Sequence, residues 1–342
     1  MQNDENKVGR DDPKATRKSV RRLALRIFVV ALAALMLYLA FDGVDWAELG
    51  ALLRGTDPKL VALAWTIMLA ALAVRAFRWR LLLHGNTQPP FTTMFWALMV
   101  GYVGNAYLPV RAGDVLRSVL LGRHLGIARS FVFGTTVTER VVDTIVVVAL
   151  TGGVVAWIPQ TPAWLSSTAG GLSVGVAAAL VALLAAPRLA NWIERMSAHL
   201  PVRNSLRAGL VHIWREFFTG SRAIQNHGIA AAFGLLSLAV WAMDTMTILV
   251  LAAALKLTAM TPALALLLVV ALALSSVTPS TPGYLGVWQL VAVSVLGPFA
   301  IAQSEALALV LILQGVIYLV VTPFGLIGLT MLGGLGIART NG

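Results

Sequence analysis

Residues 91–125 read FTTMFWALMVGYVGNAYLPVRAGDVLRSVLLGRHL. The first part, Phe91 to Pro109, is apolar enough for a membrane span, but its flanks argue against one. Arg78, Arg80 and His84 precede it, and Arg111, Arg117, Arg123 and Arg129 follow it. Basic residues mark the cytoplasmic side of a membrane protein, so both ends of the segment fall on one side. Gly101, Gly104, Asn105 and Pro109 also interrupt the run, and a continuous lipid-facing helix is poorly served by them. A hairpin buried in protein tolerates such residues, because its free backbone groups can face a cavity. The stretch therefore reads as a re-entrant hairpin on the cytoplasmic side. The alternative is a full span that breaks the charge rule once.

The rest of the chain sets the context. Of its 342 residues 58% are hydrophobic and 12% charged, about half the charge of a soluble domain. The apolar residues come in blocks of about 18 or more, long enough to cross a bilayer. This excludes a cytosolic globule and predicts an all-α polytopic membrane protein. Residues 1–22 form a basic polar tail expected to be disordered. A single transmembrane domain is expected over 23–335. Leu23–Phe41, Leu60–Phe77, Phe131–Ile158, Trp164–Ala186, Ile229–Leu255 and Glu305–Leu332 are its full spans, about six in all. Thr261–Val277 and Gly283–Phe299 flank the run Thr278-Pro279-Ser280-Thr281-Pro282. They read as a second pair that returns to its starting side, either as two spans or as two broken halves. Both termini are then cytoplasmic, with the chain in the inner or plasma membrane.

Two patterns refine this. In the cytoplasmic loop 187–228, Leu206, Leu210, Ile213, Trp214 and Phe217 recur at helical spacing beside Arg207, Arg215 and Arg222. They predict an amphipathic helix on the inner leaflet, or one packed on its own loops. Pro109-x-x-x-Gly113 and Pro282-x-x-x-Gly286 share one spacing and, on this topology, come from opposite sides. An inverted repeat with a site near the midplane would produce that.

Composition also bounds the chemistry. The balance of 26 Lys+Arg against 15 Asp+Glu gives +11. Because these charges sit in loops between apolar blocks, they point to topology and anionic lipid headgroups, and no nucleic-acid partner is expected. Cys is absent, which excludes disulfides, thiolate metal sites and Cys nucleophiles. The five His show no metal-ligand spacing. Walker, dinucleotide and nucleophile-elbow motifs are missing, so no cofactor, metal or catalytic residue is expected.

The informative residues are ionisable groups inside apolar blocks, each costing about 2.5–3.5 kcal/mol at mid-membrane unless paired or hydrated. Glu139, Arg140 and Asp143 lie about three turns into a span and share one helix sector. They read as an internal ionic lock or as a charged lining for a headgroup or proton. Arg111, Asp114 and Arg117 follow Pro109 at a spacing of three. Asp114 can hold both arginines and leave guanidinium donors for a phosphate, or the cluster merely sets orientation. Asp244 sits in mid-span with no local cation, and Arg140 is its expected partner. Arg75 and Arg78 read as snorkelling anchors.

Taken in order, Arg75-x-x-Arg78-Trp79-x-x-Leu82-Leu83, Gly104-Asn105-x-x-Leu108-Pro109-x-Arg111-x-Gly113-Asp114-x-x-Arg117, Glu139-Arg140-x-x-Asp143 and Pro279-x-x-Pro282-Gly283-x-x-Gly286-Val287 form a set. This set resembles the lysylphosphatidylglycerol synthase transmembrane family. The resemblance runs over residues 21–335. It implies a flippase-like domain like that of bacterial multiple-peptide-resistance proteins. Asp114 and Gln289 stand where the resemblance leads one to expect Glu, so Gln289 brings no charge to the second break. In the full-length bacterial proteins a separate soluble domain carries the aminoacyl transfer. Such a domain is not in these residues, and the transfer is not expected here.

The expected function is a lipid translocase without ATP hydrolysis of its own. Its substrate would be a lipid with an anionic or zwitterionic headgroup, met by Asn105, Pro109, Arg111, Asp114, Arg117, Glu139, Arg140, Asp143, Asp244, Pro282, Gly283, Gly286 and Gln289. The rival is a non-transporting accessory of an envelope glycosyltransferase or lipid-modifying enzyme. The candidate protein partners are accordingly a second copy or such an enzyme. An intramembrane acid–base enzyme built on Glu139 and Asp143 lacks an accompanying nucleophile or metal ligand.

Overall fold

The computed structural model describes residues 34–83, 88–108, 112–158, 161–185, 204–220, 222–276 and 282–333, and among them no strand occurs. The expected tail 1–22 lies outside the described residues, as do Pro109 and Arg111. Residues 34–41 are helical. The helices that follow are α1 (Trp46–Arg54), α2 (Pro58–Leu82), α3 (Phe91–Tyr107), α4 (Ala112–Leu125), α5 (Arg129–Trp157), α6 (Ala163–Leu184), α7 (Asn204–Thr219), α8 (His227–Ala254), α9 (Pro262–Ser275), α10 (Val287–Leu296) and α11 (Gln303–Met331).

Among the described residues, four helices are long and apolar enough to cross a membrane: α2, α5, α8 and α11. The chain is a polytopic α-helical membrane protein. α6 adds 22 residues, about 33 Å of helix. Local signals fix the ends. Asp45, Asp57 and Asn226 cap α1, α2 and α8 by accepting backbone N–H bonds, and Pro58 occupies the first turn of α2, where a missing N–H costs nothing.

Residues 91–125 form a helical hairpin. α3 has 17 residues and α4 has 14, about 26 and 21 Å, both short of a hydrocarbon core about 30 Å thick. Gly101 and Gly104 do not break the helix, contrary to their reading as interruptions. α3 runs through them to Tyr107, and the extended turn begins at Leu108. Their role is contact. A Cβ on Gly104 would lie 2.5 Å from the Gly113 Cα, and one on Gly113 would lie 2.0 Å from the Gly101 carbonyl oxygen. Small residues on both arms let the backbones touch.

The second pair is also a hairpin. α9 and α10 have 14 and 10 residues and pack on each other. A 3-10 turn, Pro282–Tyr284, lies before α10. α2 and α8 run antiparallel: the Asp57 N–H donates to the Ala254 carbonyl, while Arg78 meets Ser237 further along. α3 starts soon after the end of α2, and α9 soon after the end of α8. The two hairpins therefore enter from opposite ends of the bundle. Their tips meet inside it: a Cβ on Gly283 would lie 3.5 Å from the Ala106 carbonyl oxygen.

α7 forms in the loop where an amphipathic helix is expected. Its last turn docks on α5 through Gly134, where a Cβ would meet the Phe217 carbonyl oxygen at 2.1 Å. Ile213 and Trp214 stay exposed.

Candidate functional site

Four helices each bring a charged turn to one place. α2 presents Arg75 and Arg78, α4 Asp114 and Arg117, α5 Glu139, Arg140 and Asp143, and α8 Asp244. Residues three or four apart share a helix face, so each set points one way. Arg78 is the centre of the cluster. It donates to Asp143 Oδ2 at 2.9 Å, to Glu139 Oε1 at 3.0 Å and to Ser237 Oγ at 2.9 Å. Its guanidinium also lies 4.8 Å from the Phe233 ring centroid. Arg117 takes the other oxygen of Glu139, with Nη2 to Oε2 at 2.8 Å, and sits 4.4 Å above the Trp79 ring. Arg140 grips Asp114 with two bonds, Nε to Oδ2 at 3.1 Å and Nη2 to Oδ1 at 2.9 Å. Arg75 pairs with Asp244.

The cluster thus holds four arginines and four carboxylates. Mutual pairing is what makes so many buried ions tolerable. It also grades from sealed to open. The side chains of Arg78 and Arg117 are 1% exposed, whereas that of Arg140 is 32% exposed. Arg140 therefore has one guanidinium edge fixed by Asp114 and area left over for something else.

What adjoins that area is a cavity of about 320 Å³ between the two hairpin tips. Arg75, Arg140, Asp143 and Asp244 line one part of it, and Asn105, Ala106, Gly283 and Tyr284 belong to the tips. Beneath the second tip, Gln289 Nε2 donates to Gln314 Oε1 at 2.6 Å, and Gln289 Oε1 accepts from the Gly286 N–H at 2.8 Å. Gln314 Nε2 donates in turn to the Gly283 carbonyl at 3.3 Å. A neutral amide pair thus holds this break where a carboxylate was expected.

Several expectations are corrected here. Asp244 pairs with Arg75 and not with Arg140. Arg75 and Arg78 are not snorkelling anchors, because α2 continues past Phe77 to Leu82 and carries Arg78 into the protein interior. The acidic turn of α5 supplies the reason: Glu139 and Asp143 need a cation, and Arg140 points to Asp114 instead. Arg117 is sealed between Glu139, Asp114 and Trp79, so it offers no open fork to a phosphate. Asn105 and Gly283 line the cavity, while Gly286 and Gln289 support its floor. Pro282 opens the 3-10 turn. Residues whose place at the site sequence reasoning missed include Arg75, Arg78, Tyr102, Trp241, Tyr284, Trp288, Gln314 and Tyr318. Charge balance could have found the first two, since Glu139, Asp143 and Asp244 outnumber Arg140.

Comparison with known proteins fits this architecture. The family model for the lysylphosphatidylglycerol synthase TM region matches residues 25–325. The chain belongs to this family. Among curated relatives, a UPF0104 membrane protein of Methanothermobacter thermautotrophicus is 24% identical over 327 residues, covering 90% of this chain and 92% of the relative. Glycosyltransferase AglD of Haloferax volcanii is 27% identical over 277 residues, which cover 71% of this chain and 42% of AglD. The chain therefore spans less than half of AglD and nearly all of the Methanothermobacter protein.

Proposed function

We propose that this protein moves a phosphate-bearing lipid between leaflets, its headgroup passing through the cavity between the hairpin tips. The observation that carries this reading is Arg140. Its guanidinium is oriented by Asp114 on one edge and open to the cavity beyond. Guanidinium is suited to bidentate phosphate contacts, and a partner that fixes its plane prepares it for them. Two hairpins from opposite ends bound the site, and rocking one against the other would expose it to each side in turn. No ATP motif accompanies the site, so movement is downhill or coupled to an ion.

The test is lipid movement in reconstituted vesicles. Arg140→Lys keeps the charge but loses the planar fork, and transport is expected to fall roughly tenfold at an unchanged melting temperature. Full-rate transport by that variant would remove the phosphate role. A second reading, an accessory to an envelope glycosyltransferase, takes support from the partial match to AglD. Absence of lipid movement by the wild type would favour it.

Orientation has its own test. The first hairpin is read as re-entrant from the cytoplasmic side, with both termini there. Gln88 and His124 flank it and are exposed, and the chain has no Cys. Single replacements Gln88→Cys and His124→Cys are expected to label from the cytoplasmic face in both cases. Labelling from opposite faces would make the segment a span.

A further inference from the structure

The cavity's aromatic residues are of one kind. Tyr102, Trp241, Tyr284, Trp288 and Tyr318 line it. Among the described residues no Phe does, although Phe is the commonest aromatic in the chain, 12 against 10 Trp and 5 Tyr. An acyl chain gains nothing from that choice, because Phe is as good a greasy surface as Tyr. Rings with a polar edge suit a ligand that is apolar on its faces and polar at its rim.

Charge narrows the ligand further. Both carboxylates in the lining are bonded to arginines, Asp143 to Arg78 and Asp244 to Arg75. A headgroup ammonium would find no unmatched anion there. Neutral hydrogen-bonding groups are in better supply. Gln314 and Asn105 contribute amides, and the Trp241 indole N–H is buried without a partner among the described residues, a donor in want of an acceptor. The volume of about 320 Å³ lies at the lower end of the usual range of about 300–1,000 Å³, room for a headgroup and not for acyl chains.

One residue shows that the aromatic surface is built in spite of backbone cost. Tyr284 has φ 59°, in the left-handed region that a bulky residue avoids. Holding a bulky residue there strains the backbone. The neighbouring Gly283 and Gly286 also have positive φ, so a glycine would be the natural choice at 284. What the tyrosine supplies is a ring parallel to Trp288, with centroids 5.3 Å apart and planes 6° apart. The Trp288 indole N–H is fixed by Ser276 Oγ at 3.2 Å.

A pyranose has an apolar C–H face and a rim of hydroxyls that both donate and accept. We infer that the cavity takes the sugar of a glycosyl-phosphate lipid, with the pyranose against the Tyr284–Trp288 pair and the phosphate at Arg140. This deepens the translocation reading and rests on it for the place of the phosphate.

The experiment measures binding to the purified protein in detergent. The probes are citronellyl phosphohexose and citronellyl phosphate, and the same pair carried on dihexanoylglycerol. The glycosylated member of each pair is expected to bind roughly tenfold tighter or better, as one or two neutral hydrogen bonds and a ring contact supply. Tyr284→Gly relieves the backbone and should fold at least as well as the wild type, yet the ratio should collapse to about one. Trp288→Leu and Trp241→Phe should reduce the ratio as well. A ratio confined to one carrier identifies the lipid class that bears the sugar. Equal binding of sugar-bearing and bare phosphates by the wild type overturns the inference and leaves the phosphate site standing. An undiminished ratio in Tyr284→Gly overturns the ring assignment. The sugar preference without lipid movement in vesicles would instead retain the sugar site and remove translocation.

Discussion

Arg78→Ala is expected to destabilise the protein by about 3–5 kcal/mol, the range for removing one partner of a buried ion pair. The side chain is 1% exposed and serves Glu139, Asp143 and Ser237 at once. Without it Glu139 keeps Arg117, while Asp143 has no other arginine bonded to it among the described residues. An uncompensated carboxylate then faces the interior of the bundle. Arg123→Ala is the control, because Arg123 is exposed at the end of α4 and such surface changes stay within about 0.5 kcal/mol. Arg78→Lys should be intermediate, since an ammonium cannot bridge two carboxylates and a hydroxyl with one planar fork. The decisive measurement is a cycle in detergent melting. Adding Asp143→Asn to Arg78→Ala should recover part of the loss, because the stranded charge is gone. If both Arg78→Ala and Arg123→Ala are mild, Arg78 is hydrated and the ionic core is not what holds α2 to α5.

How far the sequence anticipated this arrangement depends on the kind of signal. Helices and spans were legible because hydropathy over a bilayer's length is a strong one-dimensional pattern. The first hairpin was legible from basic residues on both flanks, a rule about chain topology that needs no contacts. Pairing was not legible. Asp244 lies 169 positions from Arg75, and nothing in either neighbourhood names the other. Arg75 and Arg78 follow an apolar run, where snorkelling is the ordinary expectation. Only the antiparallel packing of α2 on α8 overrides it. Gly101 and Gly104 were misread for a related reason. A glycine that breaks a helix and one that lets two helices touch look the same in sequence, and the partner glycine, Gly113, lies beyond the turn. The aromatic lining was likewise hidden, because its five residues come from α3, α8, the 3-10 turn, α10 and α11.

Gly113→Ala is expected to have the other large effect, and through a different cause. Its new Cβ would lie 2.0 Å from the Gly101 carbonyl oxygen and 2.5 Å from the Asn105 nitrogen. Both obstacles are backbone, so no side chain can turn aside. The hairpin arms must part by about an ångström or more, at or above the top of the 1–3 kcal/mol usual for overpacking. The damage should also travel. Asp114 is the next residue and holds Arg140, and Arg117 follows one turn later against Glu139. Moving α4 therefore loosens the grip that orients Arg140 toward the cavity. Gly153→Ala gives the contrast, since a Cβ there meets nothing within 4 Å. In the interior of α5 it should be neutral or stabilising by up to about 1 kcal/mol, as alanine exceeds glycine in helix propensity. Melting temperature and lipid movement, measured together, separate the two levels of the effect. Gly113→Ala should lower both, and Gly153→Ala neither. A Gly113→Ala protein that melts like the wild type would mean that the arms do not meet at backbone contact. In that case the hairpin could not hold Asp114 and Arg117 against α5, and the ionic core would need another scaffold.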